Sequence, residues 1–230
     1  MTGNMLSFQL EDGRSAGTTR TLEVANLIIA GWTGRDPAAV EHHIRELEAL
    51  GVKRPACVPI FYRVSAARLT AETSIQVLGE HTSGEVEFVL VKASGQLWVG
   101  TGSDHTDREA ESVGVSLSKQ ICDKPIAPAL WPFDAVVPHW DRLILRSFAT
   151  THGRRELYQE GPVSALLHPE DLLSRLGRTG LAEGSVMFGG TLPAFGGVRP
   201  ADRFDFELED PVRGKTIAHG YDIFTLPVPG

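Results

Sequence analysis

Three acidic residues carry the clearest chemical signal in the chain: Glu85, Glu87 and Asp104. From Glu85 to Val91 the sequence alternates, so Glu85, Glu87, Val89 and Val91 share one face of a strand and Val86, Phe88 and Leu90 the other. Two carboxylates side by side on a half-buried face repel each other and resist leaving water. Either that strand end is solvated, the usual fate of Glu, or a cation neutralises the pair. Asp104 follows a presumed hairpin and precedes a helix expected from Thr106. It is either an acid stabilised by that helix terminus or a third ligand. Three carboxylates plus waters suit a hard, oxygen-seeking ion such as Mg²⁺, Mn²⁺ or Ca²⁺ rather than Zn²⁺. His105 would soften such a site, but adjacent residues point apart, which sets it behind Asp104.

Other chemistries lack their residues. There is no GxSxG elbow, P-loop, HExxH, or GxGxxG after a strand. Cys57 and Cys122 form no CxxC and read as reduced thiols of a cytosolic protein. Gly189-Gly190 and Gly196-Gly197 flank Thr191 to Phe195; such pairs are tight turns far more often than phosphate cradles. With 22 basic against 29 acidic residues the net charge is −7, which argues against nucleic-acid or anionic-membrane partners. No apolar run reaches the length of a membrane span, and Met1 to Leu10 does not read as a signal peptide, so the expected location is cytoplasmic.

These residues must be positioned by a strand-rich fold. The 230 residues suffice for one large domain or two small ones. Asp36, Pro37 and Gly51 mark a helix with Val40, Ile44, Leu47 and Leu50 on its inner face. His42 and His43 on it read as surface residues. Strands are expected at Thr21–Ala30, Cys57–Tyr62, Ser74–Leu78, Glu85–Val91, Leu97–Val99, Asp141–Ala149, Ser185–Gly189, Arg203–Glu209 and Thr216–Thr225. Ser94-Gly95 and Thr151-His152-Gly153 read as turns. Thr106 and Glu109 have capping-box spacing, Pro125 to Pro138 reads as an irregular crossing, and Pro169–Leu176 as a short helix. The sum is α+β: a mixed β-sandwich or β-roll with a few peripheral helices.

In order, several segments resemble the catalytic domain of the fumarylacetoacetate hydrolase superfamily, over roughly Pro55 to the C-terminus. Cys57-Val58 through Tyr62 looks like the family's opening strand. Glu85-Val86-Glu87 is similar to its ExE strand, whose glutamates bind metal. Gly102 to Glu109 looks like the "ND-x-S/T-A-R-D" segment, with Asp104 at the third ligand and Arg108 at the arginine. Ser118-Lys119 is similar to "GKS/AKS", and Pro125-Ile126-Ala127-Pro128 to "PxGP". Thr151-His152-Gly153 with Gln159-Glu160-Gly161 looks like "NG…xQ.G". Glu183 to Thr191 resembles "xGDvIxTGTPxGVG", with one residue inserted at Leu192 and Thr191 at the pocket threonine.

The resemblance implies metal ligands Glu85, Glu87 and Asp104 for Mg²⁺ or Mn²⁺, with Ca²⁺ admitted. It implies Lys119 as oxyanion stabiliser and Tyr62, Arg63, Arg108 and Thr191 as substrate-binding residues. It also implies a homodimer, with residues 1–54 an N-terminal addition packed on a 55–230 catalytic domain. Two departures stand out. The family histidine three residues after the tyrosine matching Tyr62 is Ser65, leaving His81 as a substitute catalytic group. The stretch Ala30 to Asp36 does not match the usual family and points to a divergent bacterial branch of unknown function. The expected partner is a small 2-oxo or diketo acid. The expected activity is hydrolysis of a C–C bond in an acylpyruvate-like or diketo acid through a metal-stabilised enolate. The alternatives are a 2-oxo-acid lyase (decarboxylase or hydratase/dehydratase) and a non-catalytic metal- or metabolite-binding protein.

Overall fold

A computed structural model describes residues 3–11, 17–49, 54–177 and 180–229. Among them, eight strands form one mixed sheet. Its spatial order is Thr18–Val24, Asn4–Leu10, Ala129–Pro132, Gln96–Ser103, Val86–Ala93, Ser185–Thr191, Asn26–Gly31 and Ile60–Val64. A second sheet of five runs Arg154–Pro162, Ile144–Thr151, Arg203–Asp210, Lys215–Leu226 and Ser74–Leu78.

The alternation from Val86 onward has a use different from the expected half-buried face. Both faces of this central strand are buried. Val86, Phe88 and Leu90 join Ile75, Phe204, Phe206 and Tyr221 in a core between the two sheets. Val89 and Val91 join Phe8, Leu27, Ile29 and Phe188 in a second core, which the eight-stranded sheet encloses by curling around it. The architecture is the expected mixed sandwich and roll, with helices outside. Burying a side chain of Phe88's size is worth about 1.5–3 kcal/mol, and Phe88 meets Trp140 edge-on at 5.1 Å.

The residues read as the 1–54 addition supply three strands of the eight-stranded sheet. Asn26–Gly31 lies between Ser185–Thr191, with which it is parallel, and Ile60–Val64, with which it is antiparallel. Thr21–Ala30 is two strands rather than one. The break falls at Ala25, where the N–H groups of Ala25 and Asn26 both donate to the Gly184 carbonyl. The Pro125–Pro138 crossing contains a true strand, Ala129–Pro132, which pairs with Asn4–Leu10 and Gln96–Ser103 through two residue pairs each. Its proline stands at the strand end, where a missing N–H is tolerated.

The helix after Asp36 spans Pro37–Ala49, with Asp36 Oδ1 accepting from the Ala38 and Ala39 N–H groups at 2.8 and 3.3 Å. Leu50 and the Gly51 cap lie outside the described residues. The helix expected from Thr106 spans Arg108–Val113, and Asp107 caps it, accepting from Ala110 N–H at 2.9 Å. Thr106 instead hydrogen-bonds the Asp104 carbonyl.

Candidate metal centre

The hairpin places the third carboxylate. Ser94 and Gly95 both have positive φ, 54° and 75°, the conformation of a tight two-residue turn. That turn fixes a register in which Ala93 pairs Gln96 and Val86 pairs Ser103. One step further, Asp104 comes opposite Glu85, and its N–H donates to the Glu85 carbonyl at 3.0 Å. Glu85, Glu87 and Asp104 each present an oxygen within 4.8 Å of the other two.

Glu87 is held from the neighbouring strand. A bulge interrupts pairing between Phe188 and Thr191, and the Gly190 N–H donates to Glu87 Oε2 at 2.6 Å. The Gly189-Gly190 pair is therefore a bulge that aims an N–H at a carboxylate. A Cβ on Gly190 would meet Thr33 Oγ1 at 1.7 Å, and its φ is +105°. Gly190→Ala should lower stability by about 1–3 kcal/mol, read as a shift in the denaturant midpoint at unchanged m. A wild-type midpoint would contradict this packing.

Cations surround the acids. Lys119 Nζ donates to Asp104 Oδ2, and Lys124 Nζ lies 3.0 Å from Asp104 Oδ1. Lys124 is thus the ion-pair partner of Oδ1, as Lys119 is of Oδ2. Arg108 pairs Glu85 and Glu111 at 3.1 Å each and donates to Ser83 Oγ at 2.7 Å. Burial and the nearby Asp104 charge push the Glu87 carboxyl well above its ordinary value. Burial opposes charge on Asp104 as well, but Lys119 and Lys124 hold its carboxyl well below the usual range. Lys119 is held above its ordinary value: burial disfavours its charge, and Asp104, Glu85 and Glu87 outweigh it. For Lys124 burial prevails and lowers it.

A hard divalent ion fits this set. Its donors are three carboxylate oxygens within 4.8 Å of one another. Glu87, pressed towards neutrality by burial beside a second acid, is the group a dication would keep ionised.

Of the other expected site residues, Lys119 reaches the cluster, with its Nζ 5.8 Å from the centre of the Tyr62 ring. Thr191 pairs Glu87 across the sheet, and its hydroxyl donates to the Val86 carbonyl and accepts from Gln159, both at 2.8 Å. Arg63, next to Tyr62 on a strand, is exposed and donates to Asn26 Oδ1 at 2.6 Å. His81 is exposed, and its carbonyl accepts from Arg108 N–H. Ser65 is exposed and caps a turn. Sequence reasoning missed Lys124, Thr33 and Tyr221. For Thr33 the unmatched stretch Ala30 to Asp36 was a signal; Lys124 and Tyr221 had none.

No curated protein matches the chain. Solved structures do. Yeast ynq8, a fumarylacetoacetate hydrolase family protein, has TM-score 0.61 at 20% identity, over 90% of this chain and 95% of that one. A fumarylpyruvate hydrolase candidate from Burkholderia cenocepacia has TM-score 0.65 at 16% identity, over 99% and 98%. A 2-keto-3-deoxy-D-arabinonate dehydratase complexed with magnesium and 2,5-dioxopentanoate has TM-score 0.62 at 16% identity, over 91% and 77%. The fold is therefore that of the fumarylacetoacetate hydrolase family. The model for DUF2848, described as a protein of unknown function, matches residues 30–221, and the chain belongs to that family.

Proposed function

We propose that this chain is a Mg²⁺- or Mn²⁺-dependent enzyme that hydrolyses a C–C bond in an acylpyruvate-like or diketo acid. The reading rests on one observation: three carboxylates converge within 4.8 Å beside a charged Lys119. A divalent ion held there would polarise a keto oxygen and stabilise the negative charge that develops on it. Lys119 supplies a fixed positive charge for the developing oxyanion, and Tyr62 stands beside it as a wall for the substrate. Arg108 orients Glu85 through their ion pair.

A 2-oxo-acid decarboxylase or hydratase/dehydratase is the second reading, and the histidines favour it. His81 is exposed, and the His105 ring is fully buried, with Nδ1 bonded to Tyr221, so neither stands ready as a base for water. The magnesium-bound dehydratase shares the fold. Incubation with Mn²⁺ and acylpyruvates or oxaloacetate, with product identification, separates the two. Cleavage to two acids supports hydrolysis. Release of CO₂ or loss of water supports the lyase. Tight binding without turnover would overturn both.

A further inference from the structure

Tyr221 lies 118 residues from Ser103 and 116 from His105 in sequence. Its hydroxyl nonetheless stands 2.8 Å from Ser103 Oγ and 2.8 Å from His105 Nδ1. Those two residues flank Asp104. All three side chains are fully buried.

The contacts continue to a second carboxylate. Ser103 Oγ accepts from the Glu85 N–H at 3.3 Å, and the Glu85 carbonyl accepts from the Asp104 N–H at 3.0 Å. One phenolic oxygen thus ties the backbone on both sides of Asp104 and, through Ser103, the residue bearing Glu85. A hydroxyl can do this because it donates once and also accepts; a phenyl ring can do neither. His105 Nε2 has no hydrogen-bond partner among the described residues, so the ring's side-chain hydrogen bond is the one to this hydroxyl. Lys124 Nζ donates to the His105 carbonyl and secures the same segment from another side. Glu87 stands outside this bridge, on Gly190.

We propose that Tyr221 is a positioning residue for the metal centre: its hydroxyl sets Asp104 and Glu85 relative to each other, so that a divalent ion meets a preformed set of oxygens. This rests on the metal reading above. Groups that orient metal ligands from behind are commonly worth 10–100-fold in metal affinity. Replacement of Tyr221 by Phe removes one oxygen and keeps a ring packed against Phe204 at 5.8 Å and Phe206 at 6.3 Å.

The test is Mn²⁺ titration of metal-free protein, followed by the EPR signal of free Mn²⁺, with melting curves of the same samples. Tyr221→Phe should weaken Mn²⁺ binding roughly 10–100-fold. Ser103→Ala should weaken it in the same direction. The double variant should be no worse than Tyr221→Phe alone, because both cut one bridge. A purely structural hydroxyl would lower the metal-free melting temperature and leave affinity unchanged, and that result overturns the proposal. If Tyr221→Phe does not fold, Ser103→Ala is read by the same criterion. Absence of Mn²⁺ binding by the wild type would overturn the metal reading and this proposal together. Wild-type affinity in the variants, with binding by the wild type, would overturn this proposal alone.

Discussion

Asp104→Asn should destabilise the protein by about 3–5 kcal/mol, the range for removing one partner of a buried ion pair. For a chain of this length that is a fall of roughly 6–20 °C in melting temperature. Asp104 has no exposed surface, Lys124 has none, and Lys119 has 7%. Both ammonium groups lie against one carboxylate. An amide in its place removes the counter-charge that both buried cations share, leaving Lys119 only the flanking Glu85 and Glu87 against desolvation. Two comparisons make the cause specific. Glu85→Ala leaves Arg108 its contacts with Glu111 and Ser83, so its cost should be smaller than that of Asp104→Asn. Adding Lys119→Met to Asp104→Asn should recover part of the loss, because one of the stranded charges goes with it. Wild-type stability in Asp104→Asn would mean that these lysines are not charged against Asp104.

Glu87→Gln should abolish stabilisation by Mn²⁺ and leave the metal-free protein at least as stable as the wild type at neutral pH. The sign follows from the raised Glu87 carboxyl, whose causes are burial first and Asp104 second. The folded protein holds this proton more tightly than the unfolded chain does. Its contribution to stability is therefore fully present below the unfolded carboxyl value and is lost as pH rises through the raised folded value. Gln does not titrate and keeps an oxygen for the Gly190 N–H, so that loss disappears. A cation requires the ionised form. Wild-type Mn²⁺ affinity should accordingly fall as pH drops through the raised value, with a proton released on binding above the ordinary carboxyl range. At a hundredfold excess over Kd the wild type should gain about 2.7 kcal/mol, or roughly 5–11 °C. Melting curves with and without Mn²⁺ across pH read all of this. A Mn²⁺ shift of wild-type size in Glu87→Gln would remove Glu87 from the centre.

The local signals in the sequence were reliable where one segment decides its own shape. Pro169–Leu176 is the helix its acids and proline indicate, and Ser94-Gly95 makes the turn. The Glu85/Glu87 spacing led to the centre for the same reason, since strand periodicity is a property of the strand itself. Asp107 rather than Thr106 is the cap: its carboxylate accepts from Ala110 N–H, one residue further along, while the Thr106 hydroxyl donates to the Asp104 carbonyl. What sequence could not display were pairings between distant segments. Nothing near Lys124 or Tyr221 marks them as neighbours of Asp104; the curling of one sheet and the approach of the other decide that. Arg63 and Tyr62 show the complementary limit. They are adjacent in a strand, so only one of them can face Lys119.

The span of those pairings has a consequence in time. The hairpin carrying all three carboxylates is local and closes early, whereas the groups that hold it come late. Gly190 is 103 residues beyond Glu87 and Tyr221 is 118 beyond Ser103. At ribosomal speeds those residues follow roughly 5–20 s later. Closing such long loops is slow even once the chain is complete. On the proposed metal reading, the acids of a nascent chain would stand on an incompletely held hairpin, and tight capture of an ion would mark the end of folding rather than its start.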